Sequence, residues 1–358
     1  MKKTFLSELL VAERSQLSGN KLELNSGIYP VYGANGLVTY INFYEVDKPY
    51  LAVIKDGAGV GRVYKCPSKS SVLSTLQYLL PNSKIDLNYA YYWLSSLCLS
   101  KYAHGAAIPH IYYKDYKYES LLLPSLMVQK KIAERLDKVQ ELIAKQKEQI
   151  AKLNLLIKSR FLDMFGDPVT NLKKWEIKTL KDLGDVMSGG TPSRSIPRYF
   201  GGDINWFSAG ELNSLFLDRS LETITEEGLL YSNAKLFPAG SLLIGMYDTA
   251  AFKLGILKQQ AAFNQACAAI FPKVVKVVWV YYVLSLLKQE VLKFRRGIRQ
   301  KNLNLQFIRN VKVPVPPLNL QTQFVNFVKS VEQQKEVFSA RLSHLEVLYK
   351  SLMQEYFG

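Results

Sequence analysis

At 358 residues, with 48% hydrophobic and 21% charged side chains, the chain is long enough for about two cores and too apolar to be disordered. A formal net charge of +16, from 46 Lys and Arg against 30 Asp and Glu, points to a polyanion partner, nucleic acid before membrane; a merely solubilising charge is the alternative. The three cysteines Cys66, Cys98 and Cys267 fit neither a disulfide framework nor a zinc spacing, Glu8 breaks any signal-peptide core, and the longest apolar run, Val277 to Leu287, is short of the ~20 residues of a membrane span, so a soluble cytoplasmic protein is expected.

Residues 1–123 alternate short strand-like runs, such as Tyr50–Ile54 and Gly61–Tyr64, with glycine and proline, and carry one apolar helix candidate, Asn88–Leu99. Asp56-Gly57-Ala58-Gly59-Val60-Gly61-Arg62 resembles a nucleotide-binding loop only superficially. The fingerprint needs glycine where Arg62 stands and a helix afterwards, so a tight turn between strands is expected. Lys55, Asp56 and Arg62 are secondary DNA-contact candidates, and Lys101, His104 and His110 lie in a glycine-containing stretch, 101–110. The two histidines could also be bases or metal ligands, but without carboxylates at motif spacing neither a catalytic residue nor a metal site is read.

Residues 124–166 read as one long helix. Its positions spaced four then three hold Ile132, Leu136, Val139, Ile143, Gln146, Ile150, Leu153, Ile157, Arg160 and Met164, a 3.5-residue period sustained over about four heptads. Glu134/Lys138, Glu141/Lys145 and Glu148/Lys152 form a solvated outer face. Leu142 and Leu156 widen the apolar stripe, either to pack on a neighbouring domain or to receive another protein. Gly166 and Pro168 end the helix.

Residues 167–315 repeat the mixed character, with strand-like Ser241–Ile244 and Gly255–Leu257 and the helix candidate Val277–Leu287. This segment carries the largest basic excess, 20 − 12 = +8, against 13 − 9 = +4 for residues 1–120. Its strongest contact candidates are Lys293, Arg295, Arg296, Arg299, Gln300 and Lys301, around Gly297; Arg194, Arg198, Asn205 and Trp206 are weaker ones.

Residues 316–358 are a second long helix, and they repeat the first. Pro124-Ser125-Leu126-Met127-Val128-Gln129 returns as Pro316-Pro317-Leu318-Asn319-Leu320-Gln321, and Leu156-Ile157-Lys158-Ser159 returns as Leu348-Tyr349-Lys350-Ser351. Phe165-Gly166 returns as Phe357-Gly358, and 316 − 124, 348 − 156 and 357 − 165 all equal 192. The seam repeats as Phe324, Val328, Val331, Phe338, Leu342, Leu345 and Tyr349, with Lys335 interrupting it. A repeat this long is a whole domain plus a helix, unlike the ~20–50-residue units of a solenoid. The expected fold is therefore α+β: two pseudo-symmetric globules, 1–123 and 167–315, separated by two long helices, 124–166 and 316–358, paired as an antiparallel coiled coil. About 38 helical residues span roughly 57 Å, giving a ruler with a reading head at each end.

The Pro-Leu-Gln starts of both helices, and the Phe263-Asn264-Gln265-Ala266 turn, make the chain resemble, over its whole length, the specificity subunit of type I restriction–modification systems. Leu73-Ser74-Thr75-Leu76 stands where the first half would carry that turn. The resemblance implies target-recognition domains 1–123 and 167–315, each reading half of a bipartite site on double-stranded DNA. It also implies assembly with two methylation subunits that bring S-adenosylmethionine and with restriction subunits that use Mg/ATP, so that no cofactor binds this chain. The competing readings are a stand-alone methyltransferase or nuclease, and a dimerising scaffold without a DNA role.

Overall fold

The computed structural model describes residues 2–19, 22, 27–105, 107–294 and 302–358. The chain divides into two compact units, 1–148 with 339–358, and 149–338, so each unit takes part of both long helices.

The first unit contains β1 (Lys2–Phe5), β2 (Leu10–Arg14), β3 (Tyr29–Gly33), β4 (Gly36–Ile41), β5 (Tyr50–Ile54), β6 (Val63–Cys66), β7 (Ser71–Val72), β8 (Leu76–Pro81), α1 (Leu87–Ser96), α2 (Tyr113–Tyr116) and β9 (Ser120–Leu123). These strands form sheets β2-β8-β5-β6 and β4-β3-β7 and the pair β1-β9. The helix α3 (Leu126–Phe165) follows. The second globule contains β10 (Glu176–Thr179), α4 (Leu180–Leu183), β11 (Gly184–Ser188), β12 (Phe200–Phe207), β13 (Phe216–Leu217), β14 (Glu222–Ile224), α5 (Glu226–Leu230), β15 (Leu242–Gly245), β16 (Leu254–Leu257), β17 (Ala262–Phe263), β18 (Cys267–Pro272), α6 (Val277–Leu292), α7 (Leu305–Arg309) and β19 (Lys312–Val315), and α8 (Leu318–Phe357) ends the chain. Its sheets, β11-β18-β15-β16-β13, β14-β12-β17 and β10-β19, repeat the first plan strand for strand and add β13 at one edge. The unusual connections repeat too: β3 pairs β7 in parallel, and β12 pairs β17 in parallel.

Local chemistry explains where the elements stop. All five residues of β5 are buried, as a central strand's continuous apolar run requires. β6 begins at Val63 rather than Gly61 because the preceding glycines are spent on the turn: Gly57, Gly59 and Gly61 have φ of 87°, 94° and 86°. Gly61 N donates to Ile54 O, closing the turn at 2.8 Å. α1 starts where the Asp86 side chain accepts from Tyr89 N. It ends at Ser96, short of the expected Leu99, where the Ser95 and Ser96 hydroxyls turn back to Tyr91 O and Trp93 O and Cys98 is left-handed at φ 49°. α6 instead runs five residues past the expected Leu287, to Leu292, because Val291 still buries against the core (292 − 287 = 5).

The repeated glutamines join each long helix to its globule. Gln129, the fourth residue of α3, is fully buried; its Oε1 accepts from Asp86 N at 2.8 Å, and its Nε2 donates to Lys84 O and Pro124 O. Gln321, the fourth residue of α8, accepts from Lys276 N at 2.9 Å and donates to Pro316 O at 2.8 Å. Asp86 and Lys276 are the N-cap residues of α1 and α6, so each amide ties the start of a long helix to the start of a domain helix.

Within each unit α3 and α8 run antiparallel. In the first unit Arg135 Nη1 donates to the Tyr356 hydroxyl, Gln140 Nε2 to the Tyr349 hydroxyl, and Lys147 pairs with Glu346 at 3.0 Å. In the second, Phe161, Phe165 and Phe324 form an edge-to-face cluster with centroids 4.9–5.5 Å apart. Leu136, Val139, Ile157, Phe324, Val328 and Val331 are buried, whereas Ile132, Ile143, Ile150, Leu153, Phe338, Leu342, Leu345 and Tyr349 are half-buried. Arg160 leaves the seam for solvent, pairing with Asp163. Leu142 and Leu156 do not pack on a globule: they stand 45% and 47% exposed.

Gln321→Ala removes the partner of the part-buried Lys276 N–H and strands the buried Pro316 carbonyl, and is expected to cost about 1–3 kcal/mol in chemical denaturation, more than an exposed Gln→Ala control. Burial pushes the Cys66 thiol up to about 11 and also raises Cys267, while Cys98 is exposed. A thiol reagent at neutral pH is therefore expected to modify Cys98 in the native protein and the other two cysteines only after unfolding.

Candidate nucleic-acid interface

In the first unit, residues 107–112 return alongside residues 103–105. His104 N donates to His110 O and His110 N to His104 O, both at 2.8 Å, with the reversal at Gly105, φ 94°. Gly57 N donates to Pro109 O and Ile111 N to Lys55 O, so the segment is pinned to the glycine turn and delivers α2 beside β2 and β8. The result is a cleft of about 650 Å³ lined by Arg14, Lys55, Gln77, Tyr112, Lys114 and Lys117. Asp56 lies 4.0 Å from Lys55, and Arg14, Lys114 and Lys117 make no ion pair among the described residues. Tyr112, 46% exposed, carries Lys114 over its ring at 5.2 Å and stands edge-on to His110 at 5.1 Å.

The same place in the second unit is built from the same frame with other side chains. A cleft of about 490 Å³ follows α6, lined by Lys293, Phe294, Asn302, Asn304, Gln306 and Asn310. Adding 192 to His110, Tyr112, Lys114 and Tyr118 gives Asn302, Asn304, Gln306 and Asn310, so amides replace imidazole, phenols and an ammonium. Asn304 caps α7 by accepting from Phe307 N, and Phe294, 62% exposed, lies against Phe307 at 5.7 Å. Arg309 occupies the position of Lys117, but its guanidinium is turned inward, donating twice to Val186 O at 3.1 and 3.0 Å. A further cleft in this unit, about 710 Å³, presents Glu332 and Glu336 beside Lys158, Lys258 and Lys335, a mixed charge unsuited to a phosphate backbone.

The residues singled out from sequence fare unequally. Lys55 enters the first cleft, and Arg62 is exposed at the end of the glycine turn. His104 and His110 face Tyr112, and His104 Nε2 lies 3.4 Å from Asp115. Lys101 is held by Glu119 at 2.6 Å; burial alone would raise that carboxyl, but the Lys101 ammonium and Tyr102 hydroxyl outweigh it and lower it. Arg194 is bidentate to Glu222 at 2.6 and 2.7 Å and lies over the Phe200 and Trp206 rings, and Arg198 pairs with Glu227. Lys293 pairs with Glu290 at 2.7 Å. Arg295, Arg296, Arg299, Gln300 and Lys301 lie outside the described residues. Asn205 and Trp206 are structural, not contact groups: Asn205 accepts from Ser220 N, and buried Trp206 donates to Gly190 O. Arg14, Lys114, Lys117 and Gln306 escaped the sequence reading because none sits in a charge run.

The Asn-Gln turn is also scaffold. Asn264 Oδ1 accepts from Ala266 N, and Cys267 N donates to Asn264 O at 3.1 Å; Leu76 N donates to Leu73 O at 2.8 Å in the matching first-unit turn. Among the described residues, no His, Cys, Asp or Glu cluster could hold a metal ion, and no helix is long and apolar enough to cross a membrane.

Both globules and most of both helices match the family model for the type I restriction modification DNA specificity domain, over residues 1–155 and 172–346. The chain belongs to this family. It is 28% identical over 263 residues, 69% of its length, to the Escherichia coli type I restriction enzyme EcoR124I/EcoR124II specificity subunit; the match spans 63% of that relative, a little less than two thirds. The fold is similar to the crystal structure of the type I restriction–modification S subunit from M. genitalium, with TM-score 0.68 at 18% identity, covering 100% of this chain and 96% of that one. A second solved chain, from a study of complex assembly and conformational transition of the type I R-M system, gives TM-score 0.56 at 15% identity over 99% and 97%.

The inward Arg309 and the outward Lys114 predict opposite behaviour. Arg309→Met is expected to lower stability by about 1.5–3 kcal/mol, because charged hydrogen bonds to a backbone carbonyl are lost, and Lys114→Met to change it by less than about 0.5 kcal/mol, both read from urea unfolding.

Proposed function

We propose that this chain is the non-catalytic, sequence-specific DNA-binding subunit of a type I restriction–modification complex. In this reading residues 1–123 recognise one half of a bipartite site on double-stranded DNA and residues 167–315 the other, and α3 with α8 sets the spacer between them. The observation that carries it is the pair of clefts at one place on a repeated frame, cationic in the first globule and amide-lined in the second. Identical scaffolds with different contact groups are what reading two different half-sites requires.

The chemistry of modification and cleavage belongs, in this proposal, to partners: two methylation subunits carrying S-adenosylmethionine and restriction subunits using Mg/ATP, all in the cytoplasm. Exposed leucines on the long helices, Leu142 and Leu348 in the first unit and Leu155 and Leu156 in the second, offer apolar contacts for the methylation subunits. A stand-alone methyltransferase would need a loop for its cofactor, and the Gly57–Gly61 turn does not supply one, since it closes between two strands. A scaffold without a DNA role would leave the unpaired cations of the first cleft unexplained.

Co-expression with a methylation subunit followed by single-molecule mapping of modified bases is expected to return a split motif, two short half-sites at fixed spacing. Inserting one heptad at matched positions of α3 and α8 should keep both half-sites and lengthen the spacer by roughly 3 base pairs, since 7 × 1.5 Å is about 10 Å. Modification at one continuous site, or an unchanged spacer, would contradict the two-headed ruler.

A further inference from the structure

We propose that the two clefts select different bases, the first taking guanine through Arg14 and Lys114 and the second taking adenine through Gln306. This inference rests on the DNA-reading function proposed above. The argument begins with the repeat. Positions 114 and 306 are 192 residues apart, on α2 and α7, which follow the same helix and precede the same closing strand in each globule. With the frame held constant, the side chain at this position is free to vary without loss of fold, and it has varied from an ammonium to a carboxamide.

The donor and acceptor content of those groups decides what each can pair with. Arginine and lysine offer donors only. In the major groove guanine presents two adjacent acceptors, N7 and O6, whereas adenine presents an acceptor at N7 and a donor at N6. A donor-only pair such as Arg14 and Lys114 therefore satisfies guanine and leaves the adenine N6 amine without a partner. A carboxamide has both functions and meets N6 and N7 together. Gln306 is exposed, and its side-chain amide has no hydrogen-bond partner among the described residues, so both functions remain available. Arg14 and Lys114 are exposed and free of carboxylate partners among the described residues, unlike Lys101, Arg194, Arg198 and Lys293.

Of the other groups in the first cleft, Gln77 is buried and accepts from the Tyr116 hydroxyl at 3.4 Å, and Asp56 lies 4.0 Å from Lys55. Lys55 and Lys117 line the first cleft alongside the readers and supply charge for the flanking phosphates. Tyr112 and Phe294, 46% and 62% exposed, line the two clefts and add aromatic surface suited to contact with bases or sugars. In the second cleft Asn304 is committed to capping α7, Asn310 Nδ2 donates to Gln306 O at 2.9 Å, Lys293 pairs with Glu290 and Asn302 has a partner of its own, which leaves the Gln306 side-chain amide as its reader.

The test uses the full chain assembled with its methylation subunit, on duplexes carrying the mapped target. Replacing half-site guanines singly with 7-deazaguanine removes N7 and leaves the Watson–Crick edge intact. At one guanine of the first half-site this is expected to weaken wild-type binding about tenfold or more, and to weaken the Arg14→Ala or Lys114→Ala complex little further. Gln306→Ala should behave in the same way towards 7-deazaadenine in the second half-site and remain fully sensitive to the first. Lys114→Gln, which keeps a polar side chain on the surface, should relax the guanine preference without loss of folding. A uniform loss on target and unrelated duplexes alike would make these cations phosphate contacts only and overturn the base assignment, as would a first half-site without guanine. A wild-type complex that binds target and unrelated DNA equally would instead overturn the DNA-reading function and the assignment with it.

Discussion

The structure depends on how a long helix is fastened to a globule, and one buried carboxamide does this twice. Gln129 and Gln321 each accept from the N-cap backbone of a domain helix and donate to the proline carbonyl that precedes their own helix. An unpartnered amide at such a site would be costly, so each glutamine admits one approach of helix to domain. Every later contact inherits that geometry. Once α3 leaves its clamp, Leu136 and Ala133 enter the first core, and α8 repeats the move with Val328 and Phe324 in the second.

Each unit then closes with the far end of the other long helix. Tyr349, Met353 and Phe357 complete the first core, and Ile157, Phe161 and Phe165 the second, at positions 192 residues apart. The chemistry of closure differs. The first pairing is hydrogen-bonded through phenols, with the Tyr92 hydroxyl donating to Asp137 and Gln140 to Tyr349, while the second is a phenylalanine cluster. Such divergence between two halves of one duplicated plan is tolerated because both solutions bury the same stripe.

The same tolerance applies at the clefts. Here the frame is held by backbone bonds, such as Ile111 N to Lys55 O, and by the Asn304 side-chain cap, so the other exposed side chains facing the clefts contribute little to stability.

The sequence by itself determined the duplication, the two long helices with their 3.5-residue seams, the mixed globules between them and the tight turn at Gly57–Gly61, because periodicity, repeat offset and glycine spacing can be read along the chain. It located Lys55 and the 101–110 loop but could not sort free cations from paired ones. Arg194, Arg198, Lys101 and Lys293 read as contacts, yet meet Glu222, Glu227, Glu119 and Glu290 in space. Only the tertiary structure brought Arg14 from β2, Lys55 from the end of β5 and Lys114 from α2 to one cleft, and only it turned Arg309 inward onto Val186 O. The physical reason is that an ion pair or a cleft is set by separations of a few ångströms between residues tens or hundreds of positions apart, which no local pattern encodes.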